Sequence, residues 1–133
     1  MDYIERKPSV EEYLTLRRSV GWMDTAIENT NSALQNSLYS IVVEENGSLI
    51  GMGRIVGDGG IYYYIQDVIV IPERQHRGIG TKLMEYLMNH INQVAEPGSF
   101  IGLMSAEGRS NFYNRFGFSE RDNDAPGMFF VIK

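Results

Sequence analysis

The fold is decided by residues 70–82, which read Val70-Ile71-Pro72-Glu73-Arg74-Gln75-His76-Arg77-Gly78-Ile79-Gly80-Thr81-Lys82. An apolar run typical of a strand ends at Pro72, a basic stretch follows, and Gly78 and Gly80 open a helix with periodic apolar residues. The first N–H groups of a helix lack intrahelical partners and carry the positive end of its dipole, and glycines let an anion approach the main chain. The stretch therefore predicts a strand, an anion-binding loop and a helix, with a diphosphate as the natural ligand.

Two other phosphate-binding loops are excluded by the spacing of these glycines. A Walker loop requires a Lys-Ser or Lys-Thr pair after its second glycine, whereas here Lys82 follows Thr81. A dinucleotide-binding fingerprint requires a third glycine three positions after Gly80, where Leu83 stands. The remaining pattern is Gln75-x-x-Gly78-x-Gly80.

This pattern resembles motif A of the GNAT superfamily of N-acetyltransferases. In that superfamily the motif follows a strand that reads hydrophobic-x-Val-x-Pro, and this chain supplies Val68-Ile69-Val70-Ile71-Pro72. GNAT chains often carry an aromatic-Tyr pair ahead of a Gly-Phe pair, and Phe112-Tyr113 precedes Gly117-Phe118 here. The landmarks occur in the expected order, with a predicted helix and strand between them.

Composition limits the classes of protein that fit. The chain has 133 residues, of which 43% are hydrophobic and 22% charged, and this predicts a single domain over residues 1–133. It has no cysteine, which excludes disulfides and a thiolate nucleophile, and no run long enough to span a bilayer. We therefore expect a cytoplasmic protein without a membrane partner. The net charge of −5 argues against a nucleic-acid partner.

The rest of the chain predicts alternating elements. Ser9 with Glu12, and Thr25 with Glu28, form capping-box pairs that predict two helices before the main sheet. Asn46-Gly47 predicts a tight hairpin between strands at 38–44 and 49–56. The remaining predicted elements are a strand at 3–7, a long strand at 61–71, a helix from Gly78 to about Val94, a strand at 99–105, a helix at 109–116 ended by Gly117, and closing strands at 118–121 and 128–133.

The order β-α-α-β-β-β-α-β-α-β-β is the order of the GNAT fold. The resemblance implies an α/β (α+β) protein with a single mixed, mainly antiparallel sheet of about seven strands. A parallel pair at the centre of this sheet would splay apart, and about four helices would flank it.

By the same resemblance, acetyl-CoA is the co-substrate. No metal is expected, because His76 and His90 are fourteen residues apart without a carboxylate-rich companion pattern. The pantetheine arm would lie along Val68, Ile69 and Val70, and the Val68 N–H would polarise the thioester carbonyl. The diphosphate would be held mainly by main-chain N–H groups of the loop, which comprises Gln75, His76, Arg77, Gly78, Ile79, Gly80 and Thr81. From the residues alone, a solvated loop remains an alternative explanation of its basic side chains.

Two residues are candidates for proton transfer. By resemblance, Tyr113 would protonate the leaving thiolate and contact the cofactor, whereas a tyrosine beside Phe112 on an amphipathic helix also fits core packing. Asp67 is the only carboxylate adjacent to Val68 and is the candidate base. Alternation along the strand would point Asp67 away from the Tyr64 and Gln66 face unless a bulge intervenes, and a salt bridge to Arg54 is the alternative role.

The predicted function is transfer of an acetyl group from acetyl-CoA to a primary amine, by direct transfer in a ternary complex. Aromatic and acidic content favours a small-molecule amine, with Asp58, Glu28 or Asp24 as candidates to attract its charge. A protein or peptide acetyltransferase, acting on lysine or an N-terminus, and a non-catalytic acyl-CoA-binding module remain alternatives. The apolar residues 128–132 need covering, which makes a homodimer a further expectation.

Overall fold

The computed structural model describes residues 1–133, which divide into two compact units, Met1–Leu103 and Met104–Lys133. The first unit contains β1 (Asp2–Ile4), α1 (Val10–Ser19), α2 (Ile27–Gln35), β2 (Tyr39–Glu45), β3 (Ser48–Gly57), β4 (Tyr62–Val70), a 3-10 turn (Pro72–Arg74), α3 (Ile79–Val94) and β5 (Phe100–Gly102). The second unit contains α4 (Ser110–Asn114). The single domain over residues 1–133 stays a prediction. None of the helices combines the length and apolar character that crossing a membrane requires.

The first unit is built on one mixed, mainly antiparallel sheet, as predicted. Its strand order is β1-β2-β3-β4-β5, with antiparallel pairing up to β4 and parallel pairing between β4 and β5. The parallel pair therefore lies at an edge of the sheet and not at its centre, because no closing strands extend the sheet beyond β5. The β2–β3 hairpin turns at Asn46 and Gly47, whose φ angles of 52° and 80° are those of a type I′ turn. The turn prediction is therefore confirmed.

The sheet has five strands rather than about seven, because neither closing segment forms a strand. Residues 118–121 offer only Phe118 as an apolar side chain before Ser119, Glu120 and Arg121, so a strand there has little surface to bury. Residues 128–133 are exposed and unpaired. The two predicted closing strands are therefore wrong, because the strand propensity of a segment does not supply a pairing partner.

The two predicted capping boxes have different outcomes. At α1 the Glu12 N–H donates to Ser9 Oγ at 3.1 Å and the Ser9 N–H donates to Glu12 Oε1 at 2.8 Å, which confirms the first box. At α2 the N-cap residue is Ala26, without a side-chain cap, and the Thr25 hydroxyl contacts the Thr30 hydroxyl instead. The second box is wrong because Thr25 lies one residue before the cap position.

Helices cover the sheet on opposite faces. On one face α3 packs against β3 at two glycines, where a Cβ on Gly53 would lie 2.8 Å from Leu87 Cδ1 and one on Gly51 3.5 Å from Leu83 Cδ1. Neighbouring residues of a strand point to opposite faces, so Met52 faces α1 and α2. The core on that side comprises Tyr13, Leu14, Leu16, Leu34, Val42, Met52 and Ile69. This packing fixes the start of α3 beside the end of β4.

Candidate functional site

The edge of β4 is only partly paired on the side of β5. Parallel pairing joins residues Tyr62, Tyr63 and Tyr64 to Phe100, Ile101 and Gly102, and β4 continues to Val70 beyond it. The Ile71 N–H donates to Ile50 O at 2.9 Å on the β3 side, so alternation turns the Val70 N–H and C=O toward the opposite side. The Val70 C=O accepts a hydrogen bond from Gln75 Nε2 at 2.9 Å. Beyond its pairing with β5, β4 therefore leaves the Val70 N–H without a strand partner next to the predicted anion loop.

A bulge interrupts β4 at its midpoint. Gln66 pairs with Arg54 and Ile69 pairs with Met52, which leaves Asp67 and Val68 opposite Gly53 alone. Asp67 has a φ of 56°, a left-handed conformation that aspartate tolerates better than most residues. A β-bulge is therefore present at Asp67, and the regular alternation of side chains along β4 is interrupted there.

The bulge places the Asp67 carboxylate against α1. Tyr13 Oη and Arg54 Nε each donate to Asp67 Oδ2 at 2.7 Å, and Arg17 Nη1 lies 3.9 Å from Oδ1. Asp67 is only 4% exposed, and Arg54 Nη1 also donates to Ser37 Oγ at 3.1 Å. Burial, and then the charge of Asp67, raise the pKa of Tyr13, so its hydroxyl remains a proton donor. The salt bridge between Arg54 and Asp67 is present, and the role of Asp67 as a base stays a prediction.

The loop between β4 and α3 presents backbone donors. His76 and Gly78 have φ angles of 63° and 83°, and Gly78 is the N-cap of α3 without a side-chain cap. The Lys82 N–H donates to Gly78 O at 3.1 Å, whereas the N–H groups of Ile79 and Gly80 precede the first bond of the helix. A Cβ on Gly78 would meet no protein atom within 4 Å. The left-handed backbone conformation of Gly78 therefore explains the glycine, and the space at its Cβ position is open.

The basic side chains of this loop face different surroundings. Arg74 forms an ion pair with Glu45 on β2, with 2.6 Å between Nη2 and Oε1, and thereby lowers the pKa of the Glu45 carboxyl. His76 and Arg77 are exposed. Thr81 lies in the first turn of α3 and is partly buried. Arg77 is thus exposed and Arg74 is paired, and contact of either with an anion stays a prediction.

In the second unit, Tyr113 lies on α4 among aromatic rings. Its ring centroid is 5.0 Å from that of Phe112 and 6.4 Å from that of Phe118, both edge-on. Burial raises the pKa of Tyr113, which keeps the hydroxyl protonated. Gly117 follows α4 with a φ of 94°, as the predicted helix-ending glycine should. The packing and proton-donor roles are compatible, and the catalytic role stays a prediction.

The sequence reasoning missed Tyr13 and Ser37, which join the Asp67 cluster. A signal was nevertheless present: Arg54 and Asp67 each interrupt a predicted apolar strand, and buried opposite charges usually pair. This pattern predicts the ion pair but not the helix that supplies the hydroxyl.

Comparison with known proteins agrees with the geometry. The family model of the acetyltransferase (GNAT) domain matches residues 36–120. The uncharacterized N-acetyltransferase ycf52 of the alga Pyropia yezoensis is 30% identical over 115 residues, covering 84% of this chain and 65% of the relative. The chain thus spans somewhat less than two thirds of the length of this relative.

Two solved structures match nearly the whole chain. A probable acetyltransferase from meticillin-resistant Staphylococcus aureus superposes with a TM-score of 0.92 at 29% identity, covering 98% of each chain. A GNAT-family acetyltransferase from Streptococcus pneumoniae superposes with a TM-score of 0.78 at 27% identity, covering 99% of each chain. On the match of its motif, its sheet and its family model, the chain belongs to the GNAT acetyltransferase family.

Proposed function

We propose that this protein is an acetyl-CoA-dependent N-acetyltransferase that acts on a primary amine, favouring a small molecule. One observation carries the proposal: the exposed edge of β4 runs directly into a loop whose main-chain N–H groups open α3. A ligand in which a diphosphate is joined to an amide-containing arm matches these neighbouring groups of main-chain donors. Coenzyme A has that architecture.

The donor would bind as an added strand. Residues 75–81 would hold the diphosphate, and the Val70 N–H would donate to a carbonyl of the pantetheine arm. Ile69 lies between the two residues assigned to the arm and packs its side chain into the core. Gln75 Nε2 donates a hydrogen bond to the Val70 C=O. This bond holds the loop against the end of β4, where the pantetheine arm would begin.

The chemistry requires one polarising donor and three proton transfers. The Val68 N–H would polarise the thioester carbonyl, the amine would form the new C–N bond, and the C–S bond would break after an oxyanion intermediate. Tyr113 would give its proton to the departing thiolate. Asp67 would take the proton that the ammonium loses before attack, on Oδ1, because Tyr13 and Arg54 donate to Oδ2 at 2.7 Å whereas Gln66 Nε2 is 3.5 Å from Oδ1. The nitrogen would lose its second proton after the C–N bond forms, and the Tyr113 phenolate would accept it.

Two of the three acidic residues considered for attracting the acceptor, Asp58 and Asp24, are engaged by other groups of the protein. The Asp58 carboxylate accepts three backbone N–H bonds, from Gly60, Ile61 and Tyr62 at 2.8 to 3.0 Å, which makes it a turn-forming group. Asp24 is engaged by Arg18 at 2.8 Å. Glu28, exposed in the first turn of α2, is therefore the group that we assign to attracting an ammonium.

A charge at Gly78 tests the donor site. In Gly78→Asp, a carboxylate would stand where the diphosphate must approach, and we expect acetyl-CoA affinity to fall at least about 100-fold by titration calorimetry. Gly98→Asp is the matched control, because Gly98 also has a positive φ, 93°, and open space around its Cβ position. Equal affinity of both variants for acetyl-CoA would refute the site.

An acceptor panel tests the reaction. Release of free CoA would be measured with small primary amines and, separately, with lysine-containing and N-terminal peptides. Turnover with the amines supports the proposal. Turnover with peptides alone makes the protein a peptide acetyltransferase, and acetyl-CoA binding without any turnover makes it a binding module.

Two further expectations belong to the same proposal. A homodimer is supported by the five consecutive apolar residues 128–132, which are 74% to 88% exposed. A cytoplasmic location stays a prediction.

A further inference from the structure

The amide that we assign to the thioester carbonyl belongs to the peptide unit joining Asp67 to Val68. Peptide units are planar, so the direction of the Val68 N–H follows the backbone angles of Asp67 and Val68. Asp67 has a φ of 56°, which costs free energy in a residue other than glycine and persists only where the surroundings hold it. The contacts that hold Asp67 in this conformation therefore also determine the direction of the Val68 N–H.

Two long-range hydrogen bonds hold the Asp67 side chain. Tyr13 is 54 residues away in sequence on α1 and Arg54 is 13 residues away on β3, and both donate to the same carboxylate oxygen at 2.7 Å. Arg17 Nη1 in turn donates to Tyr13 Oη at 3.3 Å, which orients the hydroxyl proton toward Asp67. The bulge is thus fastened both to the neighbouring strand and to the covering helix.

We propose that Tyr13 and Arg54 act through Asp67 as positioning residues of the acyl-donor site, setting the direction of the Val68 N–H. The inference rests on the proposed function. A buried ion pair is weak evidence of stabilisation, because apolar residues of similar volume often stabilise a core as well. The hydrogen bonds from Tyr13 and Arg54 instead hold the strained residue Asp67 next to the reacting carbonyl. There, a small error in the direction of the donating N–H lowers the reaction rate.

Tyr13→Phe tests the role with the removal of one oxygen atom. We expect kcat to fall about tenfold, while the dissociation constant of CoA, which lacks the thioester carbonyl, changes less than about twofold. The ratio of the acetyl-CoA and CoA dissociation constants should therefore shift relative to the parent. Tyr63→Phe is the matched control, because Tyr63 is a buried tyrosine of β4 that does not contact Asp67.

Two further measurements separate positioning from folding. The backbone amide resonance of Val68 should move in Tyr13→Phe and stay in place in Tyr63→Phe, in the absence of any ligand. Arg54→Lys, which keeps the charge, should retain more of kcat than Arg54→Met, with melting temperatures recorded for both.

The outcomes are distinct. If Tyr13→Phe matches Tyr63→Phe in kcat, in the ratio of dissociation constants and in the Val68 resonance, the positioning role is overturned while the proposed function stands. If the parent binds neither acetyl-CoA nor CoA, the proposed function fails and the positioning role fails with it.

Discussion

At the scale of the residue, Tyr113 is the side chain whose loss should separate binding from chemistry. Tyr113→Phe removes only the hydroxyl, so the aromatic contacts with Phe112 and Phe118 are retained. We expect kcat to fall about 10- to 100-fold, with an unchanged dissociation constant for acetyl-CoA, because the proton donor acts only in breakdown of the intermediate. Steady-state CoA release and calorimetry provide the two measurements. A kcat equal to that of the parent would assign Tyr113 to packing alone.

The pKa of Tyr113 also predicts the pH dependence of this step. Burial raises the pKa above its ordinary value of 10.0, and the donor must be protonated to act. Deprotonation of Tyr113, and the fall in kcat that it would cause, should therefore occur above pH 10. We expect no fall in kcat from this group between about pH 7 and 9. An alkaline limb that lies in this window and disappears in Tyr113→Phe would contradict the assignment.

At the scale of the element, the bulge of β4 depends on Asp67. Asp67→Ala leaves the buried Arg54 guanidinium uncompensated and removes the acceptor of Tyr13 Oη. We expect a loss of about 3–5 kcal/mol in the free energy of unfolding, measured by urea denaturation. Asp67→Asn should cost less, because asparagine also tolerates a positive φ and keeps one acceptor.

An exposed ion pair provides the comparison for this measurement. Arg18 and Asp24 are 2.8 Å apart, but both side chains are more than half exposed. Arg18→Ala should therefore leave the denaturation midpoint nearly unchanged. A loss for Asp67→Ala no larger than that for Arg18→Ala would show that the cluster does not hold the bulge.

The sequence predicted correctly those features whose determining residues lie close together in the chain. The order of elements up to α4, the Asn46-Gly47 turn and the Ser9 cap depend on residues within a few positions of one another, and the structure confirms them. The two closing strands depend on partners elsewhere in the chain, and they do not form. The Tyr13 contact joins positions that no short pattern relates, so only the folded sheet and helix reveal it. The anion loop was predictable because strand, loop and helix are consecutive.

At the scale of the whole molecule, the apolar residues 128–132 should determine the state of association. Five adjacent large apolar side chains exposed to water favour association through this segment. We expect the parent to be a dimer by light scattering and the double variant Phe129→Lys, Phe130→Lys to be a monomer. Acetyl-CoA affinity should be retained in the variant if its donor site lies within one chain.

A control at another exposed apolar residue makes the result specific. Met23 is 83% exposed in the first unit, so Met23→Lys changes charge and exposed apolar area without touching the segment. This variant should remain a dimer. A monomeric parent over a wide range of protein concentration would overturn the association through residues 128–132.

The short pairing between β4 and β5 should also appear in the exchange of amide hydrogens with solvent. By alternation, the N–H groups of Ile69 and Ile71 face β3 and should exchange slowly in the free protein, whereas that of Val70 faces the splay and should exchange quickly. Added acetyl-CoA should slow Val70 and leave its two neighbours unchanged. Protection of this one amide between two already protected ones would report occupancy of the donor site without any acceptor or any turnover.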